Sequence, residues 1–265
     1  MRSWIDGFPL GRKISSGIGR AVSDFSMIRY GDEVLVGLSG GKDSGVLLYA
    51  LRRLRSKSPV RFEVSALTID PTGDGTDTSK LVDFADDLGI RIKVVRYPIF
   101  NILDSSAEKS PCSLCSNIRR GILASCAREL GCNVIALGHH RDDVAETVLM
   151  NVIYSGRFSC FSPHMLMSRS GVRVIRPLVY VSERHIADES RKLGLPIVDF
   201  KCGYAGGSKR ALMKSMIAEL ALDAGTNARD IQGSVLHALM NCNHKDAWNA
   251  RVMSPSIEED SDDID

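Results

Sequence analysis

The stretch Val34-Leu-Val-Gly-Leu-Ser-Gly-Gly-Lys-Asp-Ser44 decides the fold of this 265-residue chain. Its first half is a short, valine-rich apolar run of the kind that forms a buried strand. Its second half is a glycine turn, and helical periodicity begins directly after it at Val46, Leu47 and Tyr49. A turn between a strand and a helix presents backbone N–H groups and the positive end of a helix dipole. The stretch therefore predicts a phosphate-binding loop.

Each residue type in this loop suits contact with phosphate. Gly40 and Gly41 let the backbone approach a ligand closely, and Lys42 supplies a cation. Ser39 and Ser44 add hydroxyl donors. The loop is not a Walker A motif, because the position six before the lysine is not glycine and the residue after it is Asp43 rather than Ser or Thr.

The rest of the chain alternates short apolar runs with longer segments of helical period. This alternation is typical of βαβ units, so we expect an α/β fold with a parallel sheet and helices on both faces. The predicted strands are Glu33–Leu38, Glu63–Ile69, Ile90–Val95, Asn133–Leu137, Val172–Ile175 and Pro196–Phe200. The predicted helices are Ser44–Ser56, Ser79–Leu88, Ser116–Leu130, Asp143–Tyr154, Ser182–Leu193 and Lys209–Asp223.

Charge is distributed unevenly along the chain. The net charge is +2, but residues 257–265 hold six of the 32 acidic residues and no base, so residues 1–256 carry +8. A body with this excess can bind a polyanion, although a solubilising surface explains it equally well. We expect a lead-in at residues 1–30, one catalytic domain at 31–223, a helical segment at 224–256 and a disordered acidic tail at 257–265.

Composition also indicates the compartment. No run reaches the roughly 18 to 20 apolar residues of a membrane span, and the first residues lack the apolar region of a signal peptide. We therefore expect a cytoplasmic protein that does not bind membranes. The chain has seven cysteines, an odd number, and cytosolic thiols stay reduced, so metal binding or thiol chemistry is a better expectation than a disulfide framework.

Three cysteines are candidates for such chemistry. Cys112 and Cys115 form a C-x-x-C just before a predicted helix, a position that favours thiolate. Cys202 follows the last predicted strand and precedes a glycine-rich turn, whereas Cys126 falls on an apolar helical stripe and is expected in the core. A closed zinc site needs four protein ligands, while an iron–sulfur cluster with an open iron needs only three. Zinc, a redox pair and a persulfide carrier remain alternatives.

Acidic residues follow two of the predicted strands. Gly138-His-His-Arg-Asp-Asp143 comes after the fourth strand, and either Asp142 or Asp143 could hold Mg²⁺ or orient a reacting group. Helix capping is the alternative for both. Asp70 ends the second strand, where it could lie near a nucleotide or simply begin a turn.

As a set, three motifs resemble the tRNA 2-thiocytidine synthetase (TtcA) family of PP-loop ATP pyrophosphatases, over roughly residues 10–220. They are Gly31–Ser44, the Cys112–Leu123 segment with its Arg-Arg-Gly, and Gly138–Asp143. The resemblance implies an adenine nucleotide alpha hydrolase-like fold and an enzyme that uses ATP and Mg²⁺. That enzyme adenylates the C2 oxygen of an anticodon-loop cytidine and replaces it with sulfur through a three-cysteine [4Fe–4S] cluster.

Roles carry over by position. The resemblance implies nucleotide contacts from Ser39, Gly40, Gly41, Lys42, Asp43 and Ser44, together with Asp70 and Gly138. It implies catalytic roles for Arg119, Asp142 and Asp143, and cluster ligation by Cys112, Cys115 and Cys202. Many relatives carry a second C-x-x-C where this chain has Cys202-Gly-Tyr-Ala205, but a three-ligand cluster does not need it.

The implied partners are tRNA and a sulfur donor, either a cysteine desulfurase or free sulfide, and a homodimer stays open. Two other functions also remain open. One is a PP-loop ligase or sulfurtransferase that acts on another nucleoside or a small molecule, with a zinc or persulfide cysteine site. The other is a non-catalytic tRNA-binding module.

Overall fold

The computed structural model describes residues 9–106, 110–200, 202–204, 209–223, 225 and 228–242. Within these residues six strands form one sheet. They are β1 (Asp32–Gly37), β2 (Phe62–Asp70), β3 (Ile92–Arg96), β4 (Val134–Ala136), β5 (His164–Leu166) and β6 (Arg173–Ile175). Their order is β3-β2-β1-β4-β6-β5, and every neighbouring pair is parallel except the antiparallel β5 and β6.

Nine helices are described in the same residues. They are α1 (Arg12–Asp24), α2 (Lys42–Lys57), α3 (Ser79–Asp87), α4 (Ile99–Ser105), α5 (Pro111–Glu129), α6 (Arg141–Ser155), α7 (Glu183–Leu193), α8 (Lys209–Asp223) and α9 (Ala228–Met240).

The helices cover both faces of the sheet, because successive strand residues point to opposite sides. On one face, Val34 and Val36 of β1 join a core cluster that includes buried residues of α1, α2, α3, α6 and α7. On the other face, Leu35 joins a second cluster with buried residues of α4 and α5. The predicted α/β class with helices on both faces is confirmed.

The strand order creates a crevice at the carboxyl edge of the sheet. β1 lies in the middle of the sheet, with β2 paired to one side of it and β4 to the other. The strand order therefore reverses direction at β1. In parallel sheets, ligands bind at such a reversal, beyond the carboxyl ends of the strands. Here that position lies between the loop after β1 and the loop after β4.

Several predicted boundaries were wrong. α5 begins at Pro111 and not at Ser116, so Cys112 and Cys115 lie within its first turns rather than before it. Pro111 explains the difference, because its fixed φ suits the first position of a helix and its missing N–H costs nothing there. The short elements α4 and β5 were not predicted, because seven and three residues are too few to show a period.

The predicted strand Pro196–Phe200 does not form. Instead the segment crosses the phosphate loop, where the Val198 N–H donates to the Gly40 carbonyl at 3.0 Å. The backbone N–H of this segment thus bonds to the phosphate loop and not to a neighbouring strand. Pro196 has no backbone N–H and could not donate a hydrogen bond within a sheet.

Lys201, residues 205–208 and the predicted acidic tail lie outside the described residues. The division of the chain at residues 30, 223 and 256 stays a prediction.

Candidate active site

The phosphate loop lies between β1 and α2, as predicted. Gly41 is the N-cap residue of α2, and no side chain caps the helix. The Ser44 hydroxyl donates to the Gly41 carbonyl at 3.0 Å and accepts from the Ser39 N–H at 3.0 Å, which holds the turn in place. Because the first-turn N–H groups of α2 have no side-chain acceptor, they are available to an anion.

Two glycines are required by close contacts around this loop. Gly40 has a φ of +84°, and an added Cβ would lie 2.5 Å from the carbonyl oxygen of Val198. Gly138, at the end of the loop after β4, would place a Cβ 3.1 Å from the backbone nitrogen of Ser44. The backbone therefore closes on the loop from two sides, in a way that a larger residue would prevent.

Lys42 is held by carboxylates. Its Nζ lies 3.1 Å from Oδ1 of Asp43 and 3.1 Å from Oε1 of Glu183, and Lys214 pairs with the other oxygen of Glu183 at 2.6 Å. Burial alone would raise the pKa of Glu183, but hydrogen bonds from Lys214 and Lys42 lower that pKa to about 2. Burial alone would lower the pKa of Lys42, but the carboxylates of Asp43 and Glu183 more than offset this, so its pKa is raised. Lys42 is therefore a cation within reach of an arriving phosphate.

Asp43 offers an oxygen suited to a metal ion. Its Oδ1 is buried and accepts no hydrogen bond among the described residues, although Lys42 Nζ lies 3.1 Å away. Asp43 also lines the cavity described below. A buried carboxylate oxygen without a hydrogen bond, beside a phosphate loop, fits the coordination that Mg²⁺ takes with a carboxylate and substrate phosphates.

The two aspartates after β4 lie in different places. Asp143 lines the cavity, where its Oδ1 accepts from Arg210 at 2.8 Å while its Oδ2 accepts from the His140 N–H at 2.9 Å. Asp142 is buried away from the cavity, and its Oδ2 accepts from the Glu183 N–H at 2.8 Å. Asp142 therefore positions the start of α7 and with it Glu183, and it does not face the cavity.

Asp70 lies outside the cavity as well. Its oxygens accept from the Thr72 N–H, the Thr72 hydroxyl and the Thr76 N–H at 2.7 to 3.0 Å. Burial opposes the charge, yet these hydrogen bonds lower the pKa of Asp70. The geometry favours the turn interpretation of this residue over the nucleotide one.

A cavity of about 660 Å³ opens beside the loop. This volume lies within the range of about 300 to 1,000 Å³ that is usual for ligand sites. Of the predicted site residues, those that line it are Ser39, Asp43, Ser44, Cys112, Cys115, Arg119, Gly138, Asp143 and Cys202. Gly40, Gly41, Lys42, Asp70 and Asp142 do not.

The three candidate cysteines reach this cavity from two parts of the chain. Cys112 and Cys115 lie on α5 and Arg119 follows on the same helix face, while Cys202 approaches from the segment that crosses the phosphate loop. Tyr204 anchors that segment by donating from its hydroxyl to Asp104 of α4 at 2.6 Å. As predicted, Cys126 is buried in the core.

The three candidate cysteines share one cavity. Among the described residues, no three His, Cys, Asp or Glu side chains are placed to hold one metal ion. Yet three free thiols line one cavity, with Cys112 and Cys202 exposed. A cluster takes its cysteine ligands on separate iron atoms, so three thiols around one cavity are compatible with it.

The cavity is also lined by Arg176 and His139, neither of which the sequence analysis assigned to the site. Arg176 follows β6 at the same sheet edge, and its Nε donates to Nδ1 of His139 at 3.2 Å. Burial lowers the pKa of Arg176 to about 10, so it stays cationic at neutral pH. Its place directly after a strand is the signal that could have identified it. With Arg119 and the exposed Arg120 it gives the cavity three guanidinium groups.

His139 predicts a pH dependence of stability. Burial and the charge of Arg176 lower its pKa to about 4, so between pH 6.5 and 4 the unfolded chain binds a proton that the folded chain refuses. The free energy of unfolding should therefore decrease as the pH is lowered from 6.5 to 4, by at most about 3 kcal/mol. Urea unfolding at pH 7 and pH 5 measures the slope. His139→Gln, which keeps an acceptor for Arg176, should make the slope smaller, and an equal slope in both proteins would contradict the assignment.

Gly40 predicts a steric effect. Gly40→Ala should lose nucleotide binding and stability, because the left-handed conformation alone costs an alanine roughly 1 to 2 kcal/mol and the Val198 carbonyl occupies the space. Gly121→Ala is the matched control, since that helical glycine has no atom within 4 Å of an added Cβ. The control should be as stable as the parent or more stable by up to about 1 kcal/mol in urea unfolding. Equal stability of both variants would be inconsistent with the loop geometry.

The uncapped glycine loop at the reversal of strand order defines a PP-loop protein, and the PP-loop domain family matches residues 14–200. The relative from Pelobacter propionicus is 39% identical, over 88% of this chain and 87% of its own length. The relative from Geobacter sulfurreducens is 37% identical, over 87% of this chain and 90% of its own length. Both are named tRNA-cytidine(32) 2-sulfurtransferase. The chain belongs to this family, which confirms the resemblance stated above.

A solved structure is also similar. It is the U34-tRNA thiolase NcsA from Methanococcus maripaludis with its [4Fe-4S] cluster. The TM-score is 0.67 at 26% identity, over 86% of this chain and 79% of that one. Within the described residues, no helix combines the length and the apolar character needed to cross a membrane.

Proposed function

We propose that this chain is a tRNA sulfurtransferase that uses ATP to replace the C2 oxygen of a cytidine with sulfur. One observation carries the proposal: the phosphate loop, three cysteine thiols and Arg119 line the same cavity. Activation by a nucleotide and delivery of sulfur must act on the same carbon atom, so both sets of groups have to reach one site. The names of the relatives from Pelobacter propionicus and Geobacter sulfurreducens support this reading.

The nucleotide half of the reaction uses the loop. The β- and γ-phosphates of ATP accept hydrogen bonds from the first N–H groups of α2, and Ser39 and Ser44 add hydroxyl groups. Lys42 turns from a carboxylate partner to a phosphate oxygen. Asp43 would hold Mg²⁺, which would neutralise phosphate charge there, because its Oδ1 is buried without a hydrogen bond.

The reaction then has two steps. The C2 oxygen attacks the α-phosphorus of ATP and pyrophosphate leaves. A sulfur nucleophile next attacks C2, and AMP departs with the original oxygen. Arg119 and Arg176 line the cavity and meet the negative charge that develops in both steps.

Sulfur delivery depends on the cysteines. Cys112, Cys115 and Cys202 hold a [4Fe–4S] cluster, which when bound supplies an iron with an open position for exogenous sulfur. The [4Fe-4S] cluster of the archaeal thiolase supports this part of the proposal.

We further propose that the partners are tRNA and a sulfur donor, either a cysteine desulfurase or sulfide, and that the protein acts in the cytoplasm. Basic residues on the body would contact the tRNA phosphates. Arg120 is exposed and suits this role. Arg210 does not, because it pairs with Asp143 and Glu146.

The experiment that tests the function is an assay of AMP and pyrophosphate release by the anaerobically reconstituted protein. We expect release that depends on tRNA and matches the sulfur incorporated, one AMP per thiolated nucleoside. AMP release that ignores tRNA and instead requires ammonia or an amine would identify a PP-loop ligase.

A further inference from the structure

A second cavity, of about 420 Å³, lies between α1, the start of α6, α9 and the loop that follows β6. The groups that matter for its chemistry are Lys13, Arg20, Arg141, Tyr180, His237 and Asn241. Its volume exceeds the needs of a single phosphate ion and falls in the range of sites for small organic ligands.

The lining of this cavity is basic, and no Asp or Glu contributes to it in the part of the chain that the structure describes. Lys13 is exposed and has no hydrogen bond or ion pair with a described residue. Arg20 stacks over the Tyr180 ring, 4.1 Å from its centroid, and its Nε lies 3.7 Å from a carboxylate oxygen of Asp24, which does not line the cavity. The cations Lys13, Arg20 and Arg141 beside the Tyr180 ring fit a phosphorylated ligand, and among the described residues the Lys13 side chain is free to pair with it.

The second cavity is the neighbour of the active site. The loop after β4 places His139 in the active-site cavity, and Arg141, the first residue of α6, lines the second one. The loop after β6 places Arg176 in the active-site cavity and Tyr180 in the second one. His139 and Arg141 are two residues apart and span at most about 7 Å of chain, whereas Arg176 and Tyr180 are four residues apart and span at most about 14 Å, so short stretches of chain connect the two cavities.

The wall between the cavities is fixed at two points. Arg176 Nε donates to His139 at 3.2 Å, and the Arg141 N–H donates to the Val181 carbonyl at 3.0 Å. One ligand that is long enough can therefore meet both cavities across a rigid ridge. A nucleic acid strand has this length and carries a phosphate at every nucleotide.

We propose that the second cavity binds a backbone phosphate of the RNA strand whose reacting nucleotide occupies the active-site cavity. This inference rests on the proposed function for the identity of the RNA. Lys13 and Arg20 neutralise the phosphate, and the neighbouring ribose lies toward the Tyr180 ring. The contact sets the register of the RNA on the protein and carries no base specificity.

The test is equilibrium binding of fluorescently labelled tRNA, without ATP, at a series of salt concentrations. Lys13→Ala should bind roughly three- to tenfold more weakly at low salt, and its slope of log affinity against log salt should be shallower by about 0.7 to 0.9, as for one lost phosphate contact. Arg20→Ala should behave in the same way. Lys57→Ala is the control with the same charge change, at the far end of α2 on the opposite edge of the sheet, and should match the parent.

The outcomes distinguish a tRNA phosphate from a free nucleotide in the second cavity. They also distinguish failure of this inference from failure of the proposed function. Identical tRNA binding by Lys13→Ala and Lys57→Ala overturns the inference, whether or not the protein thiolates tRNA. Calorimetric titration with AMP is the second arm. A second AMP site that Lys13→Ala removes, with tRNA affinity unchanged, would assign the cavity to a free nucleotide and also overturn it. Weakened tRNA binding in a protein that makes no thiolated nucleoside would uphold the inference while the proposed function fails.

Discussion

Replacement of Cys112, Cys115 or Cys202 by alanine is expected to remove iron and sulfur transfer together. The three thiols line one cavity, and a cluster that leaves one iron open needs three cysteine ligands, so the loss of any one should prevent its assembly. Each variant, reconstituted anaerobically, should lose the broad visible absorption and the iron content of the parent and should yield no thiolated nucleoside. Iron analysis and nucleoside analysis of the same preparation measure both effects.

Two other cysteines provide controls for this experiment. Cys126 is buried in the core and Cys242 is exposed outside the cavity, so Cys126→Ala and Cys242→Ala should keep iron and activity. Full iron content in Cys202→Ala would show that the third ligand is misassigned. A colourless parent protein that unfolds with chelator would indicate zinc, and an iron-free active protein with a sulfur adduct on one thiol would indicate a persulfide mechanism.

Lys42→Ala is expected to lower turnover by about 10- to 150-fold, which corresponds to the 1.5 to 3 kcal/mol of a charge-assisted hydrogen bond. Lys42 is the first residue of α2, and its cation is the proposed partner of a phosphate oxygen that it reaches by leaving Asp43 and Glu183. Asp43→Ala should lose activity as well, because its Oδ1 is the proposed Mg²⁺ ligand. The measurement is AMP formation at saturating tRNA, with urea unfolding of each variant as a check on folding.

Lys57→Ala is the matched control here too, because Lys57 is the last residue of the same helix. It removes the same charge at the opposite edge of the sheet and should leave turnover unchanged. Parental turnover in Lys42→Ala would refute the assignment of the phosphate loop.

The sequence was sufficient for the architecture and for one half of the site. Valine-rich runs and the glycine loop predict the parallel strands and α2, because both depend on local patterns. The rule that ligands bind at the carboxyl ends of strands selects Ser39, Gly138 and Asp143, which line the cavity. It selects Asp70 and Asp142 equally, yet their side chains serve a turn and the start of α7. A strand end fixes the edge of the sheet but not the direction of a side chain.

Contacts between distant parts of the chain could not be read from the sequence. Lys42 and Glu183 are 141 residues apart, and nothing local marks the carboxylate as the partner of the loop lysine. Cys202 reaches the cavity although the strand expected before it does not form, because the segment is held by the Gly40 carbonyl and by Asp104. The positions of Glu183 and Cys202 depend on how distant segments pack together, which no local sequence pattern encodes.

The central claim is that the loop and the three cysteines act together on a tRNA cytidine. Mass spectrometric nucleoside analysis of tRNA incubated with the reconstituted protein, ATP, Mg²⁺ and sulfide tests it most directly. We predict that 2-thiocytidine appears with ATP, that it is absent without ATP or with Cys202→Ala, and that Lys42→Ala forms it far more slowly. Cytidine that stays unmodified while ATP is consumed, or sulfur that appears on a uridine instead, would contradict the claim.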